Sequence, residues 1–130
     1  MLHFSRLSIE GSRRFQQVWR VEDLKQVEYP EDHYGQFYAG DSFLVLYTYV
    51  PPGSSKEEYM LYFWLGRDST QDEQVAAAKF AVDIDDSLGG APVQCRVVQN
   101  KEPDHFLALW GGLMVVHEGG KAWQVVFCDP

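Results

Sequence analysis

The sequence has few cysteines and no long apolar run. Cys95 and Cys128 lie far apart and form no CxxC pair, so we expect no disulfide framework, which is typical of a reducing compartment. No apolar stretch approaches the ~18 residues that a membrane-spanning helix needs. Residues 1–14 carry charge and lack the apolar centre of a signal peptide, so none is expected there.

Basic residues are scarce. Lysine and arginine number 11 against 19 aspartates and glutamates, for a formal net charge of −8. This balance argues against nucleic acid or anionic lipid as the main partner. Arg13, Arg14 and Lys56 are too few for a phosphoinositide-binding patch. An acidic surface suits a divalent cation or a basic patch on another protein.

Catalytic motifs are also missing. Asp85 and Asp86 are adjacent, and on a helix their side chains would point about 100° apart, so they cannot share a substrate well. No Ser/His/Asp order, phosphate-binding glycine loop or nucleophilic cysteine context is present. The histidines, which lack metal-ligand spacing, are His3, His33, His105 and His117. We therefore predict a protein that is not an enzyme.

Apolar residues make up 45% of the 130 residues and aromatics 15%, which suits the core of one domain. Hydrophobic patterning and turn residues predict the element order β-β-β-α-β-α-β. The predicted strands are 17–22, 42–49, 59–65, 93–99 and 113–117, and the second and third should form a hairpin. We expect an α+β fold, with a mixed sheet of five to six strands between one long and one short helix.

The long helix has clear ends. Ser69 or Thr70 can act as N-cap, acids follow in the first turn, and Gly89-Gly90 can end it. The short helix should run over 103–109. The domain should span 17–120. Residues 1–16 would be a leader or linker and 121–130 a tail or linker, of which 122–128 are apolar enough for an extra strand.

The long helix is predicted to have two different faces. At 100° per residue, one apolar stripe should face the core; it contains Ala77, Phe80, Ala81, Ile84 and Leu88. The opposite side carries Val75, Ala78 and Val82 among charged residues. Apolar residues on a solvent-facing side favour a partner groove, although scattered exposed apolar residues are also ordinary.

Several motifs in fixed order resemble a repeat of the gelsolin/villin family over roughly residues 17–120. Within that family the chain is most similar to the first and fourth repeats, which bind actin through their long helix. The motifs are Val18-Trp19-Arg20-Val21-Glu22, Tyr34-Gly35-Gln36-Phe37-Tyr38-Ala39-Gly40-Asp41-Ser42, Tyr62-Phe63-Trp64-Leu65-Gly66, Ser69-Thr70-Gln71-Asp72-Glu73, Pro92-Val93-Gln94, Val97-Val98-Gln99, Lys101-Glu102-Pro103, Phe106-Leu107 and Gly119-Gly120.

The resemblance implies a Ca²⁺ ion buried within the repeat. Its ligands would be the carboxylates of Asp41 and Glu73 and the carbonyls of Gly40 and Lys121. A simpler interpretation stays open, because Thr70-x-x-Glu73 matches a capping box and Asp41 could accept backbone hydrogen bonds in a turn. The resemblance also implies that Asp85 shares a second Ca²⁺ with an actin carboxylate.

The resemblance further implies that the outer helix face enters actin. That face contains Val75, Ala78, Lys79, Val82, Asp85 and Asp86. Lys79 departs from the large aliphatic residue usual there, and it costs apolar burial unless its stem lies along the surface or an acid meets it. The expected function is a calcium-linked actin-binding module of a capping, severing or monomer-binding protein of the cytoplasm and cytoskeleton, with possible neighbouring repeats in a longer chain. The alternative is a structural repeat that binds calcium as an intramolecular latch.

Overall fold

The structure, a computed structural model, describes residues 14–120. Within them the chain forms a 3-10 turn at Glu31–His33 together with strands and two α-helices. The strands are β1 (Arg14–Glu22), β2 (Lys25–Glu28), β3 (Gln36–Tyr38), β4 (Ser42–Tyr49), β5 (Glu58–Leu65), β6 (Val93–Val98) and β7 (Val115–His117). The helices are α1 (Gln71–Ser87) and α2 (Asp104–Ala108).

The main sheet has five strands in the order β2-β1-β4-β5-β6. Its pairs are antiparallel except β5 and β6, which run parallel because α1 connects them. The β4–β5 hairpin pairs Ser42 with Leu65 and Tyr49 with Glu58. The predicted α+β class, mixed sheet and hairpin are confirmed.

The strands that form this sheet differ from the expectation in two respects. The predicted last strand, 113–117, does not join it; β7 instead pairs in parallel with β3 as a separate two-stranded sheet. The fifth strand is β2, which the pattern did not predict because its residues are mostly exposed. The β1–β2 turn places Asp23 and Leu24 at φ 52° and 61°, as in a type I′ hairpin turn, without the usual glycine.

Alternation along β4 and β5 supplies a core on each face of the sheet. One core lies against α2 and is mainly aromatic; it includes Phe37, Phe43, Val45, Tyr62, Trp64 and Phe106. The other lies against α1 and is mainly aliphatic; it includes Leu44, Leu46, Leu61, Ala81 and Ile84. The sheet is therefore enclosed by the long helix on one side and the short helix on the other.

Helix α1 begins and ends as the sequence predicts. Thr70 is the N-cap, and two glycines with positive φ follow the last turn. The Gly90 N–H donates to the Asp85 carbonyl at 2.9 Å and the Gly89 N–H to the Asp86 carbonyl at 3.0 Å, which is a Schellman motif. The predicted inner stripe is confirmed: Ala77, Ala81 and Ile84 are buried, while Phe80 and Leu88 are partly buried against them.

Neither helix of the described residues combines the length and apolar character needed to cross a lipid bilayer.

Candidate functional site

The start of β4 meets the end of the described chain at a close backbone junction. The Gly40 N–H donates to the Gly119 carbonyl at 2.6 Å. Gly120 lies directly over the Asp41 carboxylate, since a Cβ atom built on this glycine would be 2.5 Å from Asp41 Oδ1. Only glycine fits there without displacing the carboxylate. The structure therefore brings Gly40 and Asp41, two of the sequence-predicted calcium ligands, against the closing Gly119-Gly120 pair.

The Asp41 carboxylate is buried and paired with an arginine from β1. Arg20 Nε donates to Asp41 Oδ2 at 2.9 Å, and Arg20 Nη2 lies 2.8 Å from the same oxygen. The guanidinium also lies over the Tyr38 ring, 4.9 Å from its centroid. Arg20 was not predicted as part of the site. The available signal was its spacing of two from Val18, which puts it on the same face of β1 as that buried residue.

Glu73 lies in the first turn of α1 and forms a capping box. Its backbone N–H donates to Thr70 Oγ1 at 3.1 Å, and its Oε1 accepts from the Thr70 N–H at 3.0 Å. The capping-box interpretation is confirmed. The proposed metal-binding role of Glu73 stays a prediction, because a carboxylate that accepts one N–H still has lone pairs for a cation.

The loop before α1 connects this carboxylate to the Asp41 junction. The Gly66 N–H donates to the Asp41 carbonyl at 3.0 Å, and the Asp68 N–H donates to the Ala39 carbonyl at 2.8 Å. The N-terminus of α1 is thus tied to the same segment that carries Asp41. Asp41 and Glu73 belong to neighbouring segments of one end of the fold.

The donors at this end of the fold suit a hard cation such as Ca²⁺, which takes oxygen ligands. They comprise two carboxylates and backbone carbonyls, while Lys121 lies outside the described residues. Across residues 14–120, no group of three or more His, Cys, Asp or Glu side chains forms a metal cluster. Arg20 opposes a cation electrostatically and already occupies Asp41 Oδ2, so an ion would have to share that carboxylate with the guanidinium.

The outer face of α1 carries an exposed apolar strip. Val75 is 62% exposed and Val82 48% exposed, and Ala78 between them is also exposed. Lys79 projects beside this strip, and its Nζ lies 3.4 Å from Asp83 Oδ2 one helical turn later. Asp83 was not predicted from the sequence to take part in this surface, although its i,i+4 spacing from Lys79 allows an ion pair on the helix.

Asp85 and Asp86 point in different directions, as their adjacency predicts. Asp86 is exposed, whereas Asp85 is partly buried against β6. Gln94 Nε2 donates to Asp85 Oδ2 at 2.9 Å. Asp85 Oδ1 is buried and has no hydrogen-bond partner among the described residues. The role of Gln94 was not predicted, because its contact depends on how β6 lies beside the helix.

A concave region lies on the face of the sheet that packs against α2, next to the end of that helix. It is a cavity of about 800 Å³ whose walls include Tyr47, Tyr49, Met60 and Tyr62. The Tyr62 hydroxyl forms a 2.8 Å hydrogen bond with His105 Nδ1. Burial raises the pKa of Tyr62 to about 12, so this phenol stays neutral and can donate or accept a hydrogen bond at physiological pH.

These elements and their order define a gelsolin-type repeat. Residues 24–107 match the family model of the gelsolin repeat, and the chain belongs to that family. It is 48% identical over 114 residues to gelsolin of Xenopus laevis, covering 87% of this chain and 27% of that protein. It is also 48% identical over 106 residues to advillin of Mus musculus, covering 82% of this chain and 13% of that protein.

A solved structure has the same fold. A chain of the crystal structure of the Thorarchaeota 2DGel3/rabbit actin complex superposes with a TM-score of 0.59 at 25% identity, covering 78% of this chain and 45% of that one. The chain spans about a quarter of the Xenopus protein's length and less of the mouse protein's. The activities of these longer proteins therefore cannot be transferred as a whole to a chain that matches only one part of them.

Proposed function

We propose that this chain is a non-enzymatic actin-binding module and that the outer face of α1 is its contact surface. The observation that carries the proposal is the exposed apolar strip of Val75, Ala78 and Val82. The complex of the similar Thorarchaeota protein with rabbit actin supports the choice of partner. Capping or severing of filaments would belong to a longer protein of the cytoplasmic actin cytoskeleton that contains such a repeat.

The strip is suited to a groove because folding does not need it. The core side of α1 is filled by other residues, among them Ala77, Ala81 and Ile84. Within residues 14–120, the strip on the opposite side of the helix is left exposed, whereas insertion into an apolar groove would remove it from water. Asp85 and Asp86 border the strip near the end of the helix and add charge at its rim.

Lys79 is compatible with this surface. Its ammonium group is paired with Asp83, and both side chains are more than half exposed. An exposed pair of this kind is worth little, so it costs little to rearrange it. The aliphatic stem of Lys79 can then lie along the strip while its charge stays in water or meets an acid of the partner.

Calcium is the second part of the proposal. Gly40, Asp41 and Glu73, with the Lys121 carbonyl, would hold an ion within the repeat. Asp85 would share another ion with a carboxylate of actin. The first ion would link the β4 junction to the N-terminus of α1, which the loop contacts of Gly66 and Asp68 already hold together. An ion that binds only the folded chain stabilises it.

The test is a titration of fluorescently labelled actin monomer with the domain, in calcium and in chelator. Val82→Asp should abolish binding, because it places an unpaired charge in a desolvated groove. Leu113→Asp is the matched control: Leu113 is 78% exposed in the loop after α2, on the face of the sheet opposite to α1. It should bind like the unmodified domain. Unchanged binding by Val82→Asp would show that the contact is not on the outer face of α1.

The alternative is a structural repeat with a calcium latch and no actin contact. The Lys79–Asp83 pair beside the apolar strip favours it, as does the tight junction of Gly40 with Gly119. An unmodified domain that binds no actin in either condition, yet melts at a higher temperature in calcium, would replace the actin proposal with this one.

A further inference from the structure

The segment that contains α2 covers only part of the sheet face against which it packs. Phe106 and Trp110 lie over the buried part of this face. Next to them the sheet carries side chains that are only partly buried, and these form the floor of the cavity of about 800 Å³. We call this cavity the tyrosine groove. Its floor comprises Gln16 on β1, Tyr47 and Tyr49 on β4, and Met60 on β5.

Two tyrosines give the groove its shape. The rings of Tyr47 and Tyr49 stack at a centroid distance of 5.2 Å with an interplanar angle of 17°. They are two residues apart on β4, so both project from the same face of the strand. Met60 is the register partner of Tyr47, and Val93, the register partner of Met60 on β6, is 60% exposed. The result is an aromatic and apolar surface that extends from β1 across β4 and β5 to β6.

The dimensions and polar groups of the groove suit an extended segment rich in proline. Neighbouring strands lie about 4.8 Å apart, so the distance from β1 to β6 is about 14 Å. A polyproline II helix covers that distance with about five residues. Such a helix has no internal hydrogen bonds, so its carbonyls can accept from a partner. The Tyr47 hydroxyl and the His105 ring, which both line the groove, can donate to them.

The charge beside the groove favours a basic ligand. The Tyr49 hydroxyl donates to Glu58 Oε1 at 3.3 Å, so an exposed carboxylate lies beside one end of the groove. Among the described residues that line the groove, none is a lysine or an arginine. The chain as a whole has a formal net charge of −8. A basic residue next to the prolines would therefore be attracted to Glu58.

We propose that the tyrosine groove binds a proline-rich segment of another protein, with a basic residue of that segment at Glu58. Aromatic-lined grooves bind such segments because the polyproline II helix is already formed and loses little conformational entropy on binding. The groove lies on the face of the sheet opposite to α1, so this inference does not depend on the proposed actin contact. Where both hold, the domain can bind actin and a proline-rich protein at the same time.

The experiment titrates the full chain against a fluorescent peptide of about six prolines that ends in arginine, long enough to cross the groove. Fluorescence anisotropy should show binding to the unmodified chain. A peptide with glutamate in place of the arginine should bind more weakly, and a glycine-serine peptide with the same arginine should not bind. Equal binding of the glycine-serine peptide would indicate charge attraction alone and overturn the proposal, as would absence of binding to all three peptides.

Tyr49→Ala and Tyr59→Ala form a matched pair of variants. Both tyrosines are partly buried, and each donates to a glutamate at 3.3 Å, but Tyr59 packs against the aliphatic core on the α1 face. Tyr49→Ala should weaken peptide binding about tenfold, because it removes one ring of the stack. Tyr59→Ala should bind the peptide like the unmodified chain. Equal loss of binding in the two variants would contradict a site in the groove.

Two further measurements separate this inference from the actin proposal and from any loss of folding in the variants. Val82→Asp should leave peptide binding unchanged, whatever it does to actin binding. In NMR spectra of the unmodified chain, the peptide should shift the amide resonances of Tyr47, Tyr49 and Met60 but not that of Val75. Shifts confined to α1 would place the peptide on the outer face of that helix and overturn the proposal.

Discussion

At the scale of single residues, Asp41 combines a folding role with the proposed calcium role. Its Oδ2 is paired with the buried Arg20 guanidinium, and the backbone of Gly120 lies over Oδ1. Removing one partner of a buried ion pair leaves an uncompensated charge and costs about 3–5 kcal/mol. Substitution of Asp41 would therefore lower stability whether or not calcium binds there, so it could not test calcium binding by itself. Glu73 is the better residue to change.

Glu73→Gln should remove most of the calcium-dependent rise in melting temperature while leaving the domain folded. Glutamine can keep the capping box, since its amide oxygen can accept from the Thr70 N–H, but it lacks the charge that attracts calcium. In the unmodified domain, calcium at a hundredfold excess over its Kd should add about 2.7 kcal/mol to the free energy of unfolding. Thermal melts with calcium and with chelator measure both effects.

Thr70→Ala is the control for Glu73→Gln. It removes the hydroxyl that caps α1 but keeps the carboxylate, so it should lower stability by about 1 kcal/mol in both conditions. The rise in melting temperature caused by calcium should be retained in Thr70→Ala. A metal-free preparation of the unmodified domain whose melting ignores added calcium would contradict the calcium proposal.

At the scale of elements, α1 should tolerate truncation on one face only. Ile84→Ala should lower the free energy of unfolding by about 2–5 kcal/mol, because it deletes buried methylenes from the aliphatic core. Val82→Ala should change it by about 0.5 kcal/mol or less, as an exposed substitution does. The two residues are 9% and 48% exposed, and urea denaturation measures both changes.

These two aliphatic residues lie two positions apart on one helix, so differences in helix propensity are small beside the expected gap. Similar losses for Ile84→Ala and Val82→Ala would mean that the outer strip also packs in the free domain. In that case it would not be available to a partner.

The sequence predicts those elements whose pattern is long and regular. Helix α1 has a cap, a stripe and a closing glycine pair, and β4 and β5 are near-continuous apolar runs enclosed on both faces. Strand β2 escapes detection because it is a four-residue edge strand with little burial. Strands β3 and β7 have three residues each, and their pairing depends on the tertiary fold.

The residues of the candidate site likewise divide into those that local sequence patterns predict and those whose contacts depend on the tertiary fold. The capping box of Glu73 and the outer strip follow from local spacing, and the Asp41 position follows from the order of the family motifs. The contacts of Arg20 and Gln94 could not be predicted, because each residue bonds a carboxylate on another element. Arg20 lies 21 residues from Asp41 in sequence, and Gln94 lies 9 residues from Asp85. Such pairs depend on strand register and helix placement, which local periodicity does not determine.

At the scale of the whole molecule, two tyrosines of the aromatic core should make stability depend on alkaline pH. Burial raises the pKa of Tyr29 to about 12 and that of Tyr62 to about 12, from an ordinary value of about 10. Tyr29 donates to the Gln36 carbonyl at 2.8 Å. At both positions the folded state favours the neutral phenol, whereas in the unfolded chain the same phenol ionises at a pH about two units lower.

The stability contributed by these phenols is fully present below about pH 10 and is lost as pH rises through about 12. The free energy of unfolding should therefore fall across that interval, beyond the general effect of added negative charge. Tyr62→Phe should be less stable than the unmodified domain near neutral pH, since it loses the hydrogen bond with His105, but should fall less steeply above about pH 10. Urea denaturation over the alkaline range, together with tyrosinate absorbance, tests both statements. Parallel pH profiles for the two proteins, or tyrosinate formation complete near pH 10 in the folded domain, would contradict a neutral buried Tyr62.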